Sequence, residues 1–387
     1  MNKHILHKDV QAFIDANLDS DVAAIAFQKN PFSEVSMQEL LTQIESKKKA
    51  KSKLPTWFNT QNIYYPPKKN LEQTSSEVTA AYKATLLIGN NIADLTGGFG
   101  VDCFYFSKKA KSISYFETNE ALCHTAAHNF VQLKATNIKC FAKDGVAALK
   151  EKSYDSIYVD PSRRHQTKGK VFLLEDCLPD IITHQGKISN HCNRLLIKTS
   201  PMLDIALGME RLHNVAEVHI VAVNNEVKEL LWVVEKNTTE CKIVTVNLKQ
   251  NDNEVFSFDY KTVGQASYSE SKTYLYEPNA ALLKSGAFDL LSEEFLVQKL
   301  HQNTHLYTSE ELIPFPGRRF RIEKVLPDQK RRIRNERFKK ANITTRNFPE
   351  SVVQLKKKWK IADGGAVYLF FTTDCSGKRI VIQCHKI

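Results

Sequence analysis

The sequence predicts an α/β chain: parallel strands closed by a C-terminal antiparallel hairpin, with a helical N-terminal subdomain before them and a small α+β domain after them. Three observations carry this. From residue 91, short apolar runs alternate with helical stretches, the sequence form of a parallel sheet covered on both faces. The last two runs are separated by a polar gap, 224–228, too short for a crossover helix, so they form a hairpin. The 387 residues, 42% of them apolar, are too many for one ordinary core and imply two or three domains.

Residues 1–65 read as helices, with Ile5, Leu6, Val10, Phe13 and Ile14 on one face, Val22, Ile25 and Ala26 on a second, and Leu40, Leu41 and Ile44 on a third. Ser36 with Glu39 is a capping box for the last of them. The turn Tyr64-Tyr65-Pro66-Pro67 leads to a helix over 75–87, announced by Thr74, Ser75, Ser76 and Glu77. Strands follow at 92–95, 112–117, 138–142, 156–160 and 194–198, and the hairpin at 217–223 and 229–234. The domains are therefore 1–65, helical; 66–240, the sheet; 241–272, a connection with one or two strands; and 273–387, with helices near 278–288 and 292–300 and closing strands at 366–372 and 379–384.

The charge is uneven. Residues 317–360 hold 16 Lys or Arg against 4 acids, a net +12 that exceeds the +11 of the whole chain. A second basic run spans 47–53. Such runs are either solvated faces or contacts for an anionic partner such as nucleic acid. Eight cysteines without a C-x-x-C pair argue against a metal site and a disulfide framework. No stretch approaches the roughly 18 apolar residues of a membrane span, and the N-terminus has no apolar secretion signal, so a cytoplasmic protein without membrane partners is expected.

The strongest motif runs from Asp94 through Leu95, Thr96, Gly97, Gly98, Phe99 and Gly100 to Val101 and Asp102, a strand that ends in an acid and turns through glycines into a helix. Glycine lets the backbone approach a ligand, and the helix start offers free N–H groups, so a nucleotide-like ligand is implied. A dinucleotide fingerprint would need a small residue where Cys103 stands, and Asp94 is unsuited to a pyrophosphate, which ranks a nicotinamide oxidoreductase last. Asp94 suits the ammonium of a bound amino acid. Glu117, at the second strand end, can accept both hydroxyls of an adenosine ribose, and Asp144, at the third, the exocyclic amine of adenine. Any one of these acids alone is more simply a helix cap, but one ligand at the carboxyl edge of the sheet can touch all three.

With these residues the sequence resembles the Rossmann-like class I methyltransferases, with Asp94 to Gly100 as first motif, Glu117 as second and Asp144 as third. That resemblance implies S-adenosylmethionine as cofactor. It is closest to the bacterial subgroup with a THUMP-like domain, through Leu71-Glu72-Gln73-Thr74-Ser75-Ser76-Glu77, Asp160-Pro161-Ser162-Arg163-Arg164 and Ala341-Asn342-Ile343-Thr344-Thr345-Arg346-Asn347-Phe348-Pro349. In this frame Gln73, Ser75 and Ser76 would close over the methionine end of the cofactor. The fourth strand brings substrate to the methyl group, and amine-directed members carry Asp or Asn, two prolines and an aromatic there. Asp160 and Pro161 fit, whereas Ser162 and Arg163 depart from that pattern.

Arg163 and Arg164 could clamp a phosphate or stack on a base, or instead pair with Asp155 or Glu175. Carbon methylation needs a cysteine nucleophile; none follows a proline at the fourth or fifth strand end, and Cys177 reads as core. Lys198, at the fifth strand end, could assist a ribose 2′-hydroxyl, although the acid and second lysine of such a tetrad are not placed by sequence. Arg318, Arg319 and Arg321, the run 331–340 and the run 356–360 mix cations with aromatics, the usual chemistry of RNA surfaces. The expected function is methylation of RNA, tRNA or rRNA, at base nitrogen rather than carbon, with Asp160 and Pro161 positioning the acceptor. The alternatives are an RNA-binding protein with a degenerate cofactor fold and a methyltransferase of a protein or small molecule.

Overall fold

The computed structural model describes all residues except 151, 164–173 and 337, with the backbone alone for Arg163, Lys330, Arg334 and Asn335. The chain divides into two compact units, Met1–Val218 with Glu229–Glu240, and His219–Lys228 with Cys241–Ile387.

The first unit opens with α1 (Lys8–Ala16), α2 (Val22–Ala26), α3 (Met37–Lys53), α4 (Pro55–Asn59) and α5 (Lys68–Gln73). Ile5, Val10, Ile14, Ile25, Leu40 and Ile44 meet in one core, so the three apolar faces of the sequence close on each other. The Ser36–Glu39 capping box forms at the start of α3. Gln43 of α3 donates to Tyr65 O (2.7 Å) and accepts from Tyr65 N (2.9 Å), and the Ser46 hydroxyl donates to Pro66 O at 2.7 Å. Asn129 exchanges the same pair of bonds with Tyr64, so the helical region and the sheet fold as one unit.

The sheet follows as α6 (Glu77–Leu86), β1 (Asn91–Asp94), α7 (Val101–Ser107), β2 (Ser112–Glu117), α8 (Glu120–Gln132), β3 (Ile138–Ala142), α9 (Gly145–Ala148) and β4 (Tyr154–Val159). A ribbon of β5 (Ser162–Arg163) and β6 (Cys177–Leu178) precedes α10 (Ile181–Asn190), β7 (Cys192–Thr199), α11 (Ile205–Arg211) and the hairpin β8 (Val215–Val223) and β9 (Glu226–Glu235). Within this unit the strands run in the order β9-β7-β4-β1-β2-β3. The five from β7 to β3 are parallel and β9 is antiparallel to β7. Ile92, Ala93, Ile157, Val159, Leu196 and Ile197 are essentially unexposed, which is why these strands read as unbroken apolar runs. The hairpin turns on Asn224 and Asn225, both left-handed at φ 50° and 67°, a conformation asparagine tolerates. The parallel order sets the carboxyl ends of β7, β4, β1 and β2 side by side.

The second unit holds the antiparallel pair β10 (Lys242–Leu248) and β11 (Glu254–Asp259), then β12 (Tyr274–Pro278), α12 (Ala280–Ser285), α13 (Phe288–Glu294), β13 (Gln298–His301), β14 (Thr304–Ser309), β15 (Gly317–Pro327), α14 (Lys330–Asn335), β16 (Lys340–Thr345), α15 (Val352–Trp359), β17 (Ala362–Thr373) and β18 (Arg379–Lys386). Seven strands form one sheet in the order β13-β14-β12-β15-β18-β17-β16. Successive residues of a strand face opposite sides, and Phe370 and Phe371 accordingly enter two different cores, so both faces of the sheet are covered. The helix expected over 292–300 ends at Glu294 instead. Leu296 turns the chain at φ 51°, and 298–301 is strand.

Candidate active site

The turn after β1 is shaped by what surrounds it. A Cβ on Gly97 would stand 2.1 Å from the Tyr115 ring, and one on Gly100, at φ +84°, 2.4 Å from the Phe130 ring. Gly98, at φ +57°, has open space on its Cα, where a Cβ would find only Thr96 O at 3.8 Å. The Gly97 N–H donates to Phe116 O (2.8 Å), the Tyr115 hydroxyl to Gly98 O (2.6 Å), and the Gly98 N–H to Glu117 Oε2 (2.9 Å). Phe99 points away from the turn into an aromatic core with Trp57 and Tyr65, so only its backbone faces the turn.

The acids at the strand ends differ in burial. Asp94 is 1% exposed, and the Thr96 N–H donates to its Oδ1 at 3.0 Å. Burial pushes its pKa well above the usual carboxylate range, against that bond, and Asp102, Asp160 and Glu117 push the same way. Glu117 is half-buried and also accepts from Asn119 N at 2.7 Å. Asp144 is exposed and caps α9 by accepting from Ala147 N at 2.9 Å.

Asp160 follows β4, and its N–H donates to the Thr96 hydroxyl at 2.7 Å, which ties the fourth strand to the glycine turn. Its Oδ2 lies 2.5 Å from Nζ of Lys198 on β7. Burial alone would lower the lysine pKa, but Asp160, then Glu229 and Asp102, outweigh it and hold Lys198 above its ordinary value. Behind this pair, Lys83 of α6 is wholly buried. Its Nζ donates to Ser75 Oγ and to both oxygens of Glu229, each at 2.9 Å, and lies 3.1 Å from Asp102 Oδ1. The Ser75 hydroxyl donates to Asp102 Oδ2 at 2.7 Å, and the Tyr158 hydroxyl reaches the same atom at 3.2 Å. Asp102 and Ser75 therefore face this ion network, while Ser76 caps α6 and Gln73 ends α5.

Pro161 is buried, and Ser162 and Arg163 pair with Leu178 and Cys177 in the β5–β6 ribbon. Arg164 and the side chain of Arg163 lie outside the described residues. The two acids offered as alternative partners for them are otherwise engaged, Asp155 by Asn90 N and Asn91 N and Glu175 by Arg211 at 3.5 Å. Cys177 is 1% exposed, on β6, which agrees with its reading as core.

Residues 274–316 match the family model of a ferredoxin-like domain and residues 317–386 that of a THUMP domain-like module. A crystal structure from Porphyromonas gingivalis W83, of a protein taken to be a methyltransferase, is 32% identical over 99% of this chain and 98% of its own, with a TM-score of 0.90. The chain belongs to the class I methyltransferases that carry a THUMP-like domain. SMU.1697c from Streptococcus mutans, solved with SAH, is 18% identical over 41% of this chain and 96% of its own, at a TM-score of 0.31. None of the curated proteins matches.

In the THUMP-like part of this methyltransferase the three arginines of 318–321 separate by strand alternation. Arg318 shares the face of the buried Phe320 and meets Glu277, which is 2% exposed, through its Nε at 2.6 Å. Arg319 and Arg321 lie on the other face, Arg321 exposed. Arg346, from the third motif, donates to the other oxygen of Glu277 at 2.7 Å. Lys324, Lys356 and Lys358 pair with Glu336, Asp363 and Glu350, while Arg331, Arg332, Lys357 and Lys360 are exposed. Sequence reasoning missed Lys83, Glu229 and Glu277. The available signal was a charge set inside an apolar pattern, Lys83 between Ala80 and Ala84 and Glu229 abutting the run 230–234.

Proposed function

We propose that the protein is an S-adenosylmethionine-dependent methyltransferase of RNA, tRNA or rRNA, working in the cytoplasm, a location supported by the scattered spacing of its eight cysteines, which lacks the look of a disulfide framework. The observation that carries the reading is Asp94, a buried carboxyl beside a glycine turn whose charge burial opposes. A cation set against it offsets that cost, and the ammonium at the amino-acid end of S-adenosylmethionine is such a cation. The open face of Gly98 with Glu117 suits the ribose, and Asp144 the adenine amine. The backbone of Thr96 to Gly100 would line the cofactor, with Gln73, Ser75, Ser76 and Asp102 shaping its methionine end.

When bound, S-adenosylmethionine supplies a methyl group on a sulfonium. The chain's own groups bind and orient the acceptor. Asp160, held to the turn through Thr96, and Pro161 set its position. Arg163, Arg164, Arg319 and Arg321 offer phosphate contacts, and Arg318 stiffens that region through Glu277. Among base atoms nitrogen is favoured over carbon, since no thiol stands at the ends of β4 and β7 and Cys177 is buried.

The test is calorimetric titration with S-adenosylmethionine of the full chain and of Asp94→Ala. Micromolar binding that the variant loses, followed by transfer of labelled methyl to total RNA, is expected. A wild type that binds no S-adenosylmethionine, with NADH titrated in parallel, removes the reading.

A further inference from the structure

The ion network at the ends of β4 and β7 restricts the atom that can be methylated. Asp160 and Lys198 stand at the mouth of the site, their side chains 30% and 15% exposed, with Nζ 2.5 Å from Oδ2. Both are reachable by an acceptor. Lys83 and Glu229 are sealed behind them, at 0% and 3%. Among the described side chains of this ion network, an incoming group therefore meets one donor, the Lys198 ammonium, and one acceptor, the Asp160 carboxylate.

Lone-pair counting decides what fits such a pair. A ring nitrogen has one lone pair, and an ammonium beside it would occupy the electrons needed for attack. An exocyclic amine brings two N–H groups and no spare lone pair, so it calls for acceptors on both sides. A hydroxyl brings one O–H and two lone pairs. It can donate to Asp160, accept from Lys198, and keep a lone pair for the methyl carbon. We infer that the acceptor is a ribose 2′-hydroxyl of RNA, with Lys198 and Asp160 as the catalytic pair and Lys83 and Glu229 as positioning residues; this rests on the RNA methyltransferase reading above.

In the transfer a C–O bond forms to the methyl carbon, the methyl–sulfur bond breaks with its electrons left on sulfur, and the hydroxyl loses one proton. Asp160 takes that proton and passes it to water. A carboxylate is base enough because the O–H becomes strongly acidic as the new bond forms. Lys198 keeps its own protons and donates to the oxygen throughout, which neutralises developing negative charge in a site closed off from behind. Glu229 and Asp102, both within electrostatic reach of Lys198, keep it cationic, and Lys83 fixes Glu229 through two hydrogen bonds and Asp102 through Ser75, with Asp102 Oδ1 3.1 Å from its Nζ.

The experiment uses the full chain, labelled S-adenosylmethionine and total RNA from cells lacking the gene. The product is hydrolysed in alkali, which cannot cut beside a 2′-O-methyl group. Expected are label in alkali-resistant dinucleotides, at least a 100-fold loss of that label in Lys198→Met with partial recovery in Lys198→Arg, and cofactor binding within about threefold of wild type in both. A second readout needs no turnover. Acylation of Lys198 at pH 8, followed by peptide mass spectrometry, should run at least tenfold faster in Asp160→Asn than in the wild type. Label in mononucleotides overturns the inference and leaves the RNA methyltransferase reading standing. An active Lys198→Met, or acylation indifferent to Asp160→Asn, overturns the roles assigned to the pair. Cofactor binding without transfer to any RNA overturns both readings.

Discussion

Glu229 and Glu277 are equally buried glutamates on strands, each 2% exposed and each gripped by cations, yet their surroundings are built in opposite senses. Around Glu229 the acids outnumber the bases: Asp102, Asp160 and Glu229 face Lys83 and Lys198, with Asp94 close by. The central cation there, Lys83, is fully enclosed. Around Glu277 one acid holds two arginines that are about a third exposed. A compact ammonium with three donors suits a sealed site, whereas the planar guanidinium can grip a buried carboxylate with one edge and leave the other to solvent. The first arrangement keeps a negative field inside the protein, ready for a cationic ligand. The second leaves surplus positive charge outside, ready for an anionic one.

The comparison breaks most visibly at its most buried charge. Lys83→Met leaves Glu229 and Asp102 without their partner, which costs about 3–5 kcal/mol and lowers the melting temperature by roughly 10 °C in a calorimetric scan. Next comes Asp94→Ala, for which S-adenosylmethionine affinity should fall about 100-fold, roughly 3 kcal/mol, with the free protein no less stable. The pH dependence carries a definite sign. The folded pKa of Asp94 is raised, so its contribution to stability is complete below the unfolded value and is lost as pH rises through the folded one. Asp94→Asn should flatten that fall in a melt series, and wild-type affinity for the cationic cofactor should weaken as pH drops through the same range.

Glu277→Gln is smaller, about 2 kcal/mol in denaturant unfolding, because both arginines retain water on one side. Smallest for stability is Arg319→Ala with Arg321→Ala, within about 0.5 kcal/mol. That double variant should still weaken RNA binding, and its log–log salt dependence should flatten by about 0.7 for each phosphate contact removed. An unchanged salt slope would make that face merely solvated.

The sheet was legible because each strand buried on both sides writes a run of apolar residues, and the acids were legible because strand ends follow from the runs. The helix expected at 292–300 failed for a local reason. Leu296 takes a left-handed conformation that glycine or asparagine would have announced, and it is 83% exposed. In the second unit β15 hides its alternation under charge, with Phe320 and Leu326 its only buried residues. Lys83 and Glu229 were out of reach for a different reason: 146 residues separate them, and no local period links a helix before the sheet to its last strand. Glu277 and Arg346 are likewise 69 residues apart.

Gly98 is held from both sides, its N–H on Glu117 and its carbonyl under the Tyr115 hydroxyl. The turn has thus surrendered its conformational freedom during folding, before any ligand arrives. The cofactor proposed for this loop would then be immobilised without immobilising the chain, and would meet a finished mould rather than one that it must cast.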